Sequence, residues 1–184
     1  MSVGHKRPNI TDVNIARAEA WCIAAHSAVG QTRKYTGEPY WTHPLSVAAL
    51  IQEVVPEAPA AVLIAAMLHD VVDDTGISLE LVREEFGDEV ADLVDAVSDH
   101  TTPADGTRKE RKAMKRERLS SASSWAKTIA IADVISNVET IAEHDPTFAK
   151  VYLPEKRELL HCLGDGDQRL FAMAKKLVDA SFVS

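Results

Sequence analysis

Apolar residues recur at every third or fourth position along most of the chain, the helical period, and nowhere alternate long enough to mark a strand. Asn9 or Thr11 is placed to cap a first helix running to about Ala28, with Ile15, Ala18, Cys22, Ile23 and Ala25 as its apolar positions and Gly30 at its end. The residues before Pro8 read as a loose start. Gln31 to Thr42, with its Gly-Glu-Pro turn, reads as a loop. His43-Pro44 opens a second helix through Val47, Leu50 and Ile51 that stops near Pro56. A third, from about Glu57 to Asp74, is apolar all round between Ala60 and Leu68, the mark of a buried helix. Ser78 is placed to cap a short helix to Phe86, closed by Gly87. Another runs from Asp88 to about Ser98, with Val90, Leu93, Val94 and Val97 on one face. After a polar break from Asp99 to Gly106 comes the basic segment Arg108 to Leu119. Ser120 to Ser124 then interrupts the pattern, and Trp125 to His144 is a long apolar helix. Asp145-Pro146 turns the chain into a helix from Thr147 to Leu163, and Asp165 with Gln168 fits a capping box for the last one. There is no internal repeat. The pattern predicts an all-α protein, an irregular bundle of about eight or nine helices in a single domain.

Composition narrows the function classes. With 184 residues, 46% of them apolar, the chain can bury a sizeable core. No apolar run reaches membrane-spanning length, and the N-terminus has no hydrophobic signal region, which points to a soluble cytoplasmic protein. Cys22 and Cys162 stand far apart with no CxxC partner and read as buried thiols. Twenty basic against 28 acidic side chains give a net charge of −8, which argues against general nucleic-acid binding. A small anionic ligand remains compatible, because a local basic cluster overcomes the global field.

The candidate chemistry centres on His69-Asp70-Val-Val-Asp73-Asp74-Thr75, which closes the apolar third helix. Asp70, Asp73 and Asp74 crowded there would repel one another unless something positive lay between them, and a metal ion answers that. The plain alternative is a polar, frayed helix end. Other candidate ligands lie on separate helices: His43 opens one, and Asp133 sits inside another, where a lone charge would be costly to bury. Asn137 follows one turn later. Asp133 could instead pair with a distant Arg or Lys. Two imidazoles and two carboxylates suit Mn²⁺, Fe²⁺ or Zn²⁺ in a catalytic setting. Asp73 and Asp74 would then orient a water or move its proton.

Four motifs in order carry a resemblance. Gln31-Thr-Arg33-Lys34 resembles a basic nucleotide loop. Gly37-Glu-Pro-Tyr-Trp-Thr-His43-Pro44 resembles a first metal-ligand motif, His69 to Thr75 resembles HDxxEDT, and Ile131-Ala132-Asp133 with Asn137 resembles an ADxxxN helix. Over roughly residues 14 to 163 the chain resembles the HD-type hydrolase domain of the RelA/SpoT family, in its stand-alone, Mesh1-like small alarmone hydrolase form. The resemblance implies four metal ligands, His43, His69, Asp70 and Asp133, with Mn²⁺ as the usual ion. It implies that Asp73 and Asp74 position the attacking water, with Asn137 in support, and that the reaction removes the 3′-pyrophosphate of (p)ppGpp to leave GDP or GTP.

A substrate so anionic suits Arg33 and Lys34, with Arg108 and Arg111 as further candidates. Tyr152 and Lys156 match a position near the family's base and ribose pocket. Each has a plainer reading: the basic segment as a solvated mixed-charge helix or a homo-oligomer interface, and Tyr152 as a core aromatic. The chain departs from the pattern at Asp73, where the family has glutamate, at Ala130, where it has lysine, and at Ile135-Ser136 before Asn137. These departures leave open the same chemistry on (p)ppApp, action as an NADPH 2′-phosphatase, and a non-catalytic nucleotide sensor. A structural helical interaction protein is the blandest alternative.

Overall fold

The computed structural model describes residues 13–180, so the caps at Asn9 or Thr11 and the loose start fall outside the described residues. The described residues form ten α-helices: α1 (Val13–Ala28), α2 (Thr42–Val54), α3 (Ala60–Leu68), α4 (Val71–Thr75), α5 (Leu79–Phe86), α6 (Asp88–Val97), α7 (Arg108–Ser120), α8 (Ser124–His144), α9 (Pro146–Leu160) and α10 (Gln168–Ala180). A 3-10 turn at Pro103–Asp105 and an isolated antiparallel bridge between Thr32 and Pro39 complete the regular structure. The all-α expectation holds, and no helix among the described residues is long and apolar enough to cross a membrane.

One expected helix is divided. The continuous run from Glu57 to Asp74 begins only at Ala60, because Pro59 stands before it in an extended conformation (φ −58°, ψ 151°). It breaks at His69 and Asp70, where Asp70 takes φ −102° and ψ −4°. Adjacent residues on a straight helix point about 100° apart, so an unbroken helix could not turn both side chains toward one point. Gly76, at φ 76°, supplies the left-handed residue that ends α4.

The chain divides between Asp95 and Ala96 into two compact units. In the first, α3 packs against both α1 and α2, and α1 also meets α4. Every residue from Val62 to Leu68 is buried, as are Ala18 and Cys22 of α1 and Val47, Ala48 and Ile51 of α2. Each fully buried Leu, Ile or Val contributes about 1.5–3 kcal/mol. Ser78 caps α5 as the sequence predicts, its hydroxyl accepting from the Leu81 amide.

In the second unit α8 packs against α9 and α10, which also meet each other. Ser123 caps α8 and Asp145 caps α9, each accepting from the amide three residues on. The cap expected of Asp165 belongs to Asp167, whose carboxylate accepts from the Arg169 and Leu170 amides at 2.9 and 3.2 Å. Asp165 is held instead by the buried Lys127 at 2.6 Å. Gly166 fits there because a β-carbon would lie 2.6 Å from Ile131 Cδ1 and 3.2 Å from the Lys127 backbone. Cys22 is buried as expected, whereas Cys162 is half-buried, its thiol donating to the Leu159 carbonyl at 2.9 Å.

Candidate metal centre

The loop between α1 and α2 sets up the site. The Arg33 amide donates to the Glu38 carbonyl at 2.7 Å and the Tyr40 amide to the Gln31 carbonyl at 2.9 Å, folding the segment into a narrow hairpin. The Thr42 hydroxyl bonds the Pro39 carbonyl at 2.8 Å and starts α2, which places His43 in the buried first turn. The α3–α4 break brings His69 and Asp70 to the same place. His69 Nε2 lies 3.0 Å from Asp70 Oδ2, His43 Nε2 lies 3.8 Å from that oxygen, and the two imidazole centroids are 5.4 Å apart. Donor atoms of these three residues all fall within 4.8 Å of one another.

The surroundings prepare those donors. His69 Nδ1 donates to the Ala66 carbonyl at 2.8 Å, which fixes the ring and turns the Nε2 lone pair toward the cluster. The Tyr40 hydroxyl donates to Asp70 Oδ2 at 2.7 Å. Burial pushes the Asp70 carboxyl up, but His69, His43 and the Tyr40 hydroxyl outweigh it and hold it well below the usual carboxylate range. An ionised carboxylate beside two buried imidazoles is a donor set that fits a divalent cation of the Mn, Fe or Zn type.

Asp73 and Asp74 are exposed on α4. Burial of part of its carboxyl raises Asp74, partly offset by the Gln31 amide, which donates to Asp74 Oδ2 at 2.8 Å. Gln31 Oε1 in turn lies 2.6 Å from Nδ1 of the fully buried His26. Tyr40, Gln31 and His26 were not singled out from sequence as site residues. Tyr40 and Gln31 lie inside the quoted motifs, and that was the available signal. Nothing local marked His26.

The remaining sequence-predicted residues are placed as follows. Arg33 is half-buried in the hairpin. Lys34 is exposed, its ammonium 3.1 Å from the Tyr35 hydroxyl and 4.7 Å from that ring's centre. Asp133 lies half-buried on α8 in the second unit, where the Asn137 amide donates to Asp133 Oδ1 at 2.6 Å. Arg108 grips Glu155 with two bonds of 2.7 and 2.8 Å and stacks over Phe148. Arg111 donates to the Gly106 carbonyl at 2.9 Å. Tyr152 is buried, and the Lys156 ammonium sits 4.8 Å from its ring centre.

Two buried histidines and a half-buried aspartate gathered at a helix break in an all-helical frame define a metal-binding HD domain. Residues 18–154 match the HD domain family, and the chain belongs to it. It is similar to the mouse guanosine-3′,5′-bis(diphosphate) 3′-pyrophosphohydrolase MESH1, at 36% identity over 130 residues that cover 70% of this chain and 71% of that protein. A solved structure of a metazoan ortholog of SpoT, described as hydrolysing ppGpp, superposes with a TM-score of 0.83 at 25% identity and covers 94% of this chain and 97% of that one. A probable GTP pyrophosphokinase of Mycobacterium leprae is 47% identical over 79 residues, of which the chain spans only 10% of the length.

Proposed function

We propose that this chain is a metal-dependent hydrolase that removes the 3′-pyrophosphate of (p)ppGpp, giving GDP or GTP and pyrophosphate. The observation that carries the reading is the His43, His69 and Asp70 cluster with Asp74 following it in the HD-domain frame. The similarity to MESH1 and to a ppGpp-hydrolysing ortholog of SpoT supplies the substrate class. Mn²⁺ is the proposed ion, and Asp133, in the ADxxxN-like motif, is the proposed fourth ligand. Its support is the motif and the Asn137 bond that steadies its carboxylate.

A divalent ion at the cluster, when bound, polarises phosphoryl oxygens and acidifies water. The protein's own residues do the rest. Asp74 takes a proton from the attacking water as the water oxygen bonds to the phosphorus on O3′. The bond between that phosphorus and O3′ breaks, pyrophosphate leaves, O3′ takes up a proton from solvent, and Asp74 releases the proton it accepted to solvent, which restores the carboxylate. Asp74 suits a proton acceptor, because partial burial holds its carboxyl above the ordinary Asp range. Asp73 shares the positioning of water, with a side chain one methylene shorter than the family's glutamate. Arg33 and Lys34 neutralise phosphate oxygens. Arg108, Arg111, Tyr152 and Lys156 are proposed to hold the rest of the nucleotide.

Incubation of the Mn²⁺-loaded protein with ppGpp and ppApp side by side, with released pyrophosphate assayed, tests this reading. Pyrophosphate from ppGpp that disappears in Asp74→Ala is the expected result. Release from ppApp alone would move the assignment to an adenosine alarmone. No release from either, with bound metal demonstrated, would overturn it.

A further inference from the structure

Behind the proposed proton acceptor lies a two-step hydrogen-bond chain that the mechanism above does not use. Asp74 Oδ2 accepts from Gln31 Nε2 at 2.8 Å, and Gln31 Oε1 meets His26 Nδ1 at 2.6 Å. The two contacts fix each other's polarity. An ionised carboxylate only accepts, so the Gln31 NH₂ group must face Asp74 and its carbonyl oxygen must face His26. His26 Nδ1 must therefore carry the hydrogen.

His26 is a costly residue in this position. It is 0% exposed, and its other nitrogen, Nε2, has no hydrogen-bond partner among the described residues. A buried polar ring satisfied on one side only is disfavoured against an apolar residue of similar size. What the position gains is the short bond to Gln31. The ring also packs at 5.0 Å against Tyr40, whose hydroxyl holds Asp70, so the rigid α1 helix backs both acidic groups through one side chain.

We infer that Gln31, oriented by His26, is a positioning residue that fixes the rotation of the Asp74 carboxylate and occupies Oδ2, so that Oδ1 is the oxygen that receives the proton. This inference rests on the proposed role of Asp74. Its energetic logic is preorganisation: a carboxylate free to rotate presents the accepting oxygen only part of the time, and small misplacements cost large factors in rate.

Steady-state kinetics of ppGpp hydrolysis by Gln31→Met, His26→Leu and His26→Asn test it, with imidazole ¹⁵N NMR of the wild-type chain. Gln31→Met keeps the length and removes the donor; kcat falls about tenfold to a hundredfold while KM stays within about twofold. His26→Leu gives the same pattern. His26→Asn, whose amide nitrogen stands where Nδ1 stood, restores at least about half of kcat. Thermal melts identify any variant that has merely lost its fold, and the wild-type NMR spectrum, with hydrogen on Nδ1, requires no variant. A Gln31→Met change confined to KM, a change in neither parameter, or hydrogen found on Nε2 alone would overturn the inference. Wild-type protein that leaves ppGpp intact would instead fail the functional reading, and the Nδ1 readout then decides the hydrogen-bond chain by itself.

Discussion

Two stretches of this molecule carry their charges in opposite ways. From Ala60 to Thr75 seven consecutive residues are buried apolar side chains, and the ionisable groups are confined to the end, where a break in the helix gathers them. From Arg108 to Ser120 nine of thirteen residues are charged, and the helix spends several of those charges on neighbours: Arg108 on Glu155, Lys112 on Asp99 and Arg116 on Glu158. In the first stretch a charge survives burial only because donors at fixed distances hold it. In the second, water and counter-charges are plentiful, and no single pair is worth more than about 1 kcal/mol. Chemistry is therefore concentrated in the stretch with few charges, and adaptability in the one with many.

The largest effect expected from that contrast is at the break. Asp74→Ala lowers the rate of pyrophosphate release by about a factor of 10² to 10⁴ and leaves bound metal in place, whereas His69→Ala loses metal and turnover together. Metal content measured beside turnover separates the two roles. Next, Leu68→Ala, inside the apolar run, costs about 2–5 kcal/mol in a denaturant melt. A value near zero would show that the run is not core. In the charged stretch, Arg108→Ala changes stability by less than about 1 kcal/mol. Its main effect is a rise in KM of about tenfold, while Glu155→Ala, which releases the guanidinium, lowers KM. Equal and small effects of both on KM would leave Arg108 as a surface ion pair.

Most of the frame was legible because local rules decide it. Ser78 caps α5 and Gly87 ends it as expected, and the breaks read at Ser120 to Ser124 and at Asp145-Pro146 fall where α7 gives way to α8 and α8 to α9. The helix break at His69 was not legible, since the apolar pattern runs straight through it and only the convergence of His43, His69 and Asp70 accounts for it. Asp165 and Asp167 both stand at capping distance from a helical run. The choice between them turned on Lys127, 38 residues away from Asp165. His43, His69 and Asp70, from two separate motifs, lie with their donor atoms within 4.8 Å of one another. Gln31 and Asp74 are 43 positions apart, and periodicity carries no information at that range.

The smallest predicted effect belongs to Asp99. Burial pushes its carboxyl up, but bonds from Thr101 and the Lys112 and Lys115 ammonium groups outweigh it and bring it from 3.8 to about 2. A carboxylate lowered on folding adds stability that is fully present above the unfolded value of 3.8 and is lost as pH falls through about 2. Asp99→Asn should lose that contribution near neutrality, flatten the stability curve across that window, and match the wild type only below about pH 2.

The most direct test of the metal-centre account is a titration of metal-stripped protein with Mn²⁺, following bound metal and pyrophosphate release from ppGpp in the same samples. The account predicts no release without metal, release rising in proportion to bound Mn²⁺, and both lost in His69→Ala. Full release from metal-free protein, or a His69→Ala variant that binds and hydrolyses like the wild type, would contradict it.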